Sequence, residues 1–245
     1  MKRARDVKIL FAIMAATAVV LAGPVRAQDY AFQGFAASDA MNQMQAASRD
    51  AMVGSSGTEA SSRSVRAPAE TASVTYRVDP SVRRGVEQRI VEAVSRRDPT
   101  GAQQLSAAFR QRDFVQLFDR GVSRFGLRSG NVVDATAAYW LAMWGAANDQ
   151  REPYSRTQAQ AVRAQVASGF DFSRAGLRTS AQRQEYAETL IYQAMLLDSA
   201  VDEAQRAGRT DDVRTLGDEA QRQMRAAGMD LRRLRLTDRG FVPIA

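Results

Sequence analysis

Apolar residues from Tyr76 onward recur every three or four positions, the spacing that lines one face of a helix. Asp79-Pro80 opens the first such run, an N-cap followed by a proline where a helix loses no hydrogen bond. Val82, Val86, Ile90 and Ala93 form its stripe. Asp98-Pro99 repeats the signal ahead of Leu105, Ala108 and Phe109. Asp113 caps a third helix, with Phe114, Leu117, Phe118, Gly121 and Phe125 on one face and Gly126 as its stop. Ser155 and Gln158 have capping-box spacing before Ala159, Val162, Val166 and Phe170. A long helix is expected from about Ser180 to Ala207, lined by Ala187, Leu190, Ile191, Ala194, Leu197 and Val201. Thr210 is expected to cap the last one, which carries Val213, Leu216, Gly217, Ala220, Met224 and Ala227 inward and ends at Gly228.

One stretch departs from this alternation. Val132 to Ala147, VVDATAAYWLAMWGAA, is apolar on nearly every face and carries no charge after Asp134. It is too short to cross a bilayer. A helix apolar all round needs neighbours all round. The expected fold is therefore all-α, a single bundle-like domain of six or seven helices around this central one. Asn131 is its N-cap, and its alanines and Gly145 let neighbours approach closely. The tail from Met229 is too short and broken for a further helix, so Leu231, Leu234, Leu236 and Phe241 are expected to dock it on the bundle. Gly126-Leu127-Arg128-Ser129 and Gly176-Leu177-Arg178-Thr179 look alike, but their flanks diverge, so they read as shared punctuation and not as a repeat.

The first residues follow a different pattern. A basic MKRARDVK precedes the apolar run Ile9 to Ala22, Gly23-Pro24 breaks it, and Val25-Arg26-Ala27 places small residues before the next position. This reads as a secretory signal peptide over residues 1–27, cut after Ala27, and implies a periplasmic or secreted protein. Residues 28–74 read as a flexible arm with a marginal helix at Ala36 to Met52 and a Ser/Ala-rich linker at Gly54 to Ser73. The folded domain is then 75–245, with no transmembrane segment after the leader.

The leader changes the charge. Of 34 basic and 27 acidic residues, Lys2, Arg3, Arg5, Lys8 and Arg26 and one acid, Asp6, lie within it, which leaves 29 and 26, a net of +3. That weakens any case for nucleic acid. Both lysines go with the leader, and the chain has no His or Cys. Imidazole and thiolate metal sites, Ser-His-Asp and Cys-His nucleophiles, lysine Schiff bases and disulfides are thereby closed to the mature chain. No cofactor and no metal are expected, and the chain leans away from being an enzyme.

Few side chains remain as candidates. Asp198 falls on the buried face of the long helix, so a structural ion pair with one of the many arginines is expected. Glu185, Glu188 and Tyr192 share a broad side of that helix and read as a solvated charge stripe. The sharper alternative makes Glu188 a general acid in glycan cleavage, assisted by Tyr192 or Tyr139, a chemistry that needs no His, Lys or Cys. Tyr139, Trp140 and Trp144 can stack a planar ligand, but aromatics at helical spacing in an apolar run read first as core. Arg232, Arg233, Arg235 and Arg239 form a basic tail able to meet anionic lipid, phosphate or an acidic partner; interleaved leucines fit a docked segment with exposed arginines.

Four motifs also carry a resemblance: Tyr76 with Asp79-Pro80; Ala138-Tyr139-Trp140; Leu190-Ile191-Tyr192-Gln193-Ala194; and Leu234-Arg235-Leu236-Thr237-Asp238 with Gly240-Phe241. From Tyr76 to Phe241 the chain resembles a bacterial family of exported helical proteins classed as a domain of unknown function. The resemblance implies a helical fold and export, and no activity. The expected role is a non-catalytic interaction or binding module of the cell envelope with an unidentified partner and oligomeric state; the alternative is a Glu-dependent hydrolase of cell-wall glycan.

Overall fold

The computed structural model describes residues 74–169 and 175–244. The expected leader, nearly all of the arm, and Phe170 lie outside them. Among the described residues there are seven α-helices: α1 Pro80–Ser95, α2 Pro99–Gln111, α3 Phe114–Val122, α4 Val132–Ala147, α5 Arg156–Gly169, α6 Ser180–Arg206 and α7 Thr210–Ala226. Two short 3-10 turns, Ser123–Phe125 and Leu231–Arg233, and an antiparallel hairpin, β1 Leu234–Thr237 with β2 Gly240–Pro243, complete them.

The sequence punctuation holds at most helix starts. The side chains of Asp79, Asp98, Asp113 and Asn131 each accept from a backbone N–H of the first turn. Ser155 and Gln158 exchange both capping-box bonds, and so do Thr179 and Gln182, the latter a start read only as generic punctuation. Thr210 is a correction: it is the first residue of α7, whose cap position is Arg209 and whose start has no side-chain cap bond.

The expected central helix is central. Every residue of α4 except Ala138 is buried. It packs most extensively on α6, then on α7 and α5. Glycines set two of these approaches. A Cβ on Gly217 of α7 would lie 2.6 Å from the carbonyl oxygen of Ala146, so the two backbones meet there. A Cβ on Gly145 would overlap the hydroxyl of Tyr154, which reaches in from the α4–α5 connection and donates to the Leu141 carbonyl at 2.8 Å.

The tail docks as expected but as a hairpin. Asp238 and Arg239 turn the chain, and Gly240 follows at φ 91°, a conformation open to glycine. The Gln165 carboxamide donates to Phe241 O at 2.9 Å and accepts from Phe241 N at 2.8 Å, as a neighbouring strand would. Trp144 Nε1 donates to Leu234 O at 2.9 Å. No helix among the described residues is long and apolar enough to cross a membrane.

Candidate functional site

Two places gather polar groups against the apolar core, at different positions along α6. Near its start α6 meets α1 and the α2–α3 connection. Glu188 there is wholly buried, which corrects the expectation of a solvated stripe; Glu185 stays half-exposed and pairs with Arg89. The reason is α1, which brings Arg83 over it. Arg83 donates to Glu188 Oε1 from Nε at 3.2 Å and from Nη2 at 3.0 Å, and its other nitrogen pairs with Asp113 at 3.1 Å. Gln184 donates to the same Oε1 at 3.1 Å, and Oε2 has no partner. Burial raises the carboxyl above its ordinary pKa, and Arg83 opposes that shift.

One turn on, the Tyr192 hydroxyl donates to Glu87 Oε1 at 2.5 Å, and its ring packs edge-on to Phe109 at 5.2 Å between centroids. Burial and then the Glu87 bond raise the phenol's pKa. The structure thus brings the two candidates, Glu188 and Tyr192, together with Arg83, Glu87 and Gln184, which the sequence reading missed. Arg83 and Glu87 sit four apart, one position past Val82 and Val86 of the apolar stripe. That spacing was the available signal, since charges flanking a stripe reach its neighbours. An open groove is lined by Arg84, Glu87, Phe109 and Arg110, and Glu188, wholly buried, is not part of its wall. Chemically the cluster is an ion pair locking α1 to α6.

The second place lies near the middle of α6. Phe118, Val122, Phe125, Leu141 and Met195, with Tyr154 and Asp198, enclose an apolar cavity of about 60 Å³. A neighbouring cavity of about 50 Å³ shares Phe125, Tyr154 and Asp198 and adds Arg124, Gln150 and Gln205. Asp198 has no ion pair and no hydrogen bond among the described residues, contrary to expectation. Arg206 pairs with Asp202, and Arg124, which shares the second cavity with Asp198, lies over the Phe125 ring at 4.6 Å with its buried Nε unpartnered. Burial first and the Asp202 charge second push the Asp198 carboxyl up to about 7.

The remaining candidates are distributed through the core and tail. Tyr139, Trp140 and Trp144 are buried in α4, where Tyr139 O–H accepts from Gln223 at 2.9 Å. Trp140 Nε1 is buried without a partner. Arg232 is tied down, donating to Asp218 at 2.6 Å and to Ala147 O at 3.0 Å. Arg233 and Arg235 are exposed. Among the described residues no group of three or more acids could hold a metal ion.

The sequence matches a family of unknown function (DUF6683) over residues 9–243, and the chain belongs to that family. No curated protein and no solved structure matches it.

Proposed function

We propose that this member of the family is an exported, non-catalytic binding module of the bacterial cell envelope. The observation that carries the reading is the placement of Glu188. A general acid must touch the bond it protonates, and Glu188 has no exposed surface and is pinned by Arg83 and Gln184. Its partner Tyr192 is committed to Glu87. With no imidazole or thiol in the chain and both lysines in the leader, this was the acid best suited to cell-wall glycan. Export rests on the basic, apolar and small-residue pattern of residues 1–27.

The test is incubation of the purified protein and of Glu188→Gln with labelled cell-wall glycan. Neither is expected to release soluble fragments. Turnover by the wild type that the substitution abolishes would make the hydrolase reading correct instead. Intact-mass measurement of the protein from an envelope fraction is expected to place its first residue at Gln28; a chain retaining Ile9 to Ala22 contradicts export with cleavage.

A further inference from the structure

We propose that the Asp198 pocket binds a small aliphatic amine, its alkyl group in the apolar cavity and its ammonium on the Asp198 carboxylate. The lining fixes the chemistry. Leu117, Phe118, Val122, Leu141, Ala142 and Met195 offer no hydrogen bond to a polar guest. The one hydroxyl, that of Tyr154, already donates to Leu141 O at 2.8 Å. What is left is a single acceptor without a partner, the Asp198 carboxylate, half-buried at the seam of the two cavities.

Charge selects the sign of the guest. The neighbouring cavity is lined by Asp198, Glu152 and Asp202 against Arg124, and with Asp202 paired to Arg206 two acids still face one base. An anion would face that excess of acid, whereas an ammonium supplies the counter-charge that a half-buried carboxylate lacks. Burial and the nearby Asp202 charge raise the carboxyl pKa, so an ammonium there competes with a proton.

Volume selects the size. A closed cavity of roughly 150 Å³ takes a benzene ring, and this one encloses about 60 Å³. On that scale it suits two or three carbons. Isopropylamine has that size, and isopropanol is its uncharged counterpart.

The proposal rests on the non-catalytic reading, and one titration separates the two. Isopropylamine is added to the uniformly ¹⁵N-labelled protein, and both the protein amides and the amine are followed by NMR. Saturable shifts are expected at Ala138, Ala142, Tyr154 and Asp198, with the amine unchanged over days. The alcohol should bind about tenfold more weakly or worse, the factor lost with one ionic contact. Asp198→Asn should erase the preference for the amine, and Ala142→Leu, which fills the cavity, should abolish binding of both. No saturable shift, or equal binding of amine and alcohol by the wild type, overturns the pocket assignment whether or not Asp198→Asn folds. Conversion of the amine overturns the non-catalytic reading instead.

Discussion

The partners of a side chain, more than its type, decide what it does here. Glu188 and Asp198 are ten positions apart on α6, the first wholly buried and the second half-buried, yet Arg83 pairs with one and no cation pairs with the other. Removing the cation from a buried pair leaves an uncompensated charge, at a cost of about 3–5 kcal/mol. Arg83→Leu should therefore destabilise by about that much. Glu188→Gln keeps the Arg83–Asp113 pair and should cost only about 1–2 kcal/mol. Urea unfolding checks the order, and an equal effect of the two would contradict it. Gln193 presents the opposite case: both its amide atoms are buried with no partner. Gln193→Met removes polar atoms whose unsatisfied burial costs about 1–3 kcal/mol, so it should stabilise by roughly 1 kcal/mol or more. Sequence pattern picked out Glu188, Tyr192 and Asp198 because each lies on a helix whose phase is readable. It misjudged the setting of Glu188 and Asp198 because exposure and pairing depend on the helix opposite, which a single-helix phase does not contain.

Among the elements, α4 was the most legible, since an uncharged run with two indoles has nowhere stable but the middle of the bundle. The hairpin was the least. Leu234 to Pro243 is short, and its pairing is completed by the Gln165 amide of another element, a contact no local pattern announces. Close approach at glycine gives a test at this scale. Alanine favours a helix over glycine by about 1 kcal/mol, yet Gly145→Ala and Gly217→Ala should each destabilise, by about 1–3 kcal/mol, through overpacking. Tyr154→Phe removes the atom that the Gly145 methyl would strike and should rescue most of that loss. It should not rescue Gly217→Ala, whose obstacle is the Ala146 carbonyl. Thermal melts of the double substitutions decide it; equal rescue of both would mean that Tyr154 does not set the α4 approach.

For the whole molecule, the unpaired carboxylate makes stability depend on pH. Asp198 holds its proton to about 7 in the fold against an ordinary 3.8. Its folded pKa is raised, so the stability it contributes is full below about pH 4 and is lost as pH rises through about 7. Asp202, Tyr154, Arg124 and Glu152 share its surroundings, so the difference from Asp198→Asn isolates its part. Asp198→Asn should match the wild type near pH 4 and exceed it by roughly 1–3 kcal/mol at pH 8. The helical fold and its centre were visible in the sequence because burial imposes periodicity; the pocket was not, because five separate segments of the chain supply its walls. The most direct measurement is a ¹³C titration of the side-chain carboxyls, with and without isopropylamine. If Glu188 is a lock and Asp198 an open site, Asp198 titrates near 7 and moves well down with the amine, while Glu188 does not respond. An Asp198 that titrates near 4 and ignores the amine would mean that α6 holds no vacant charge site.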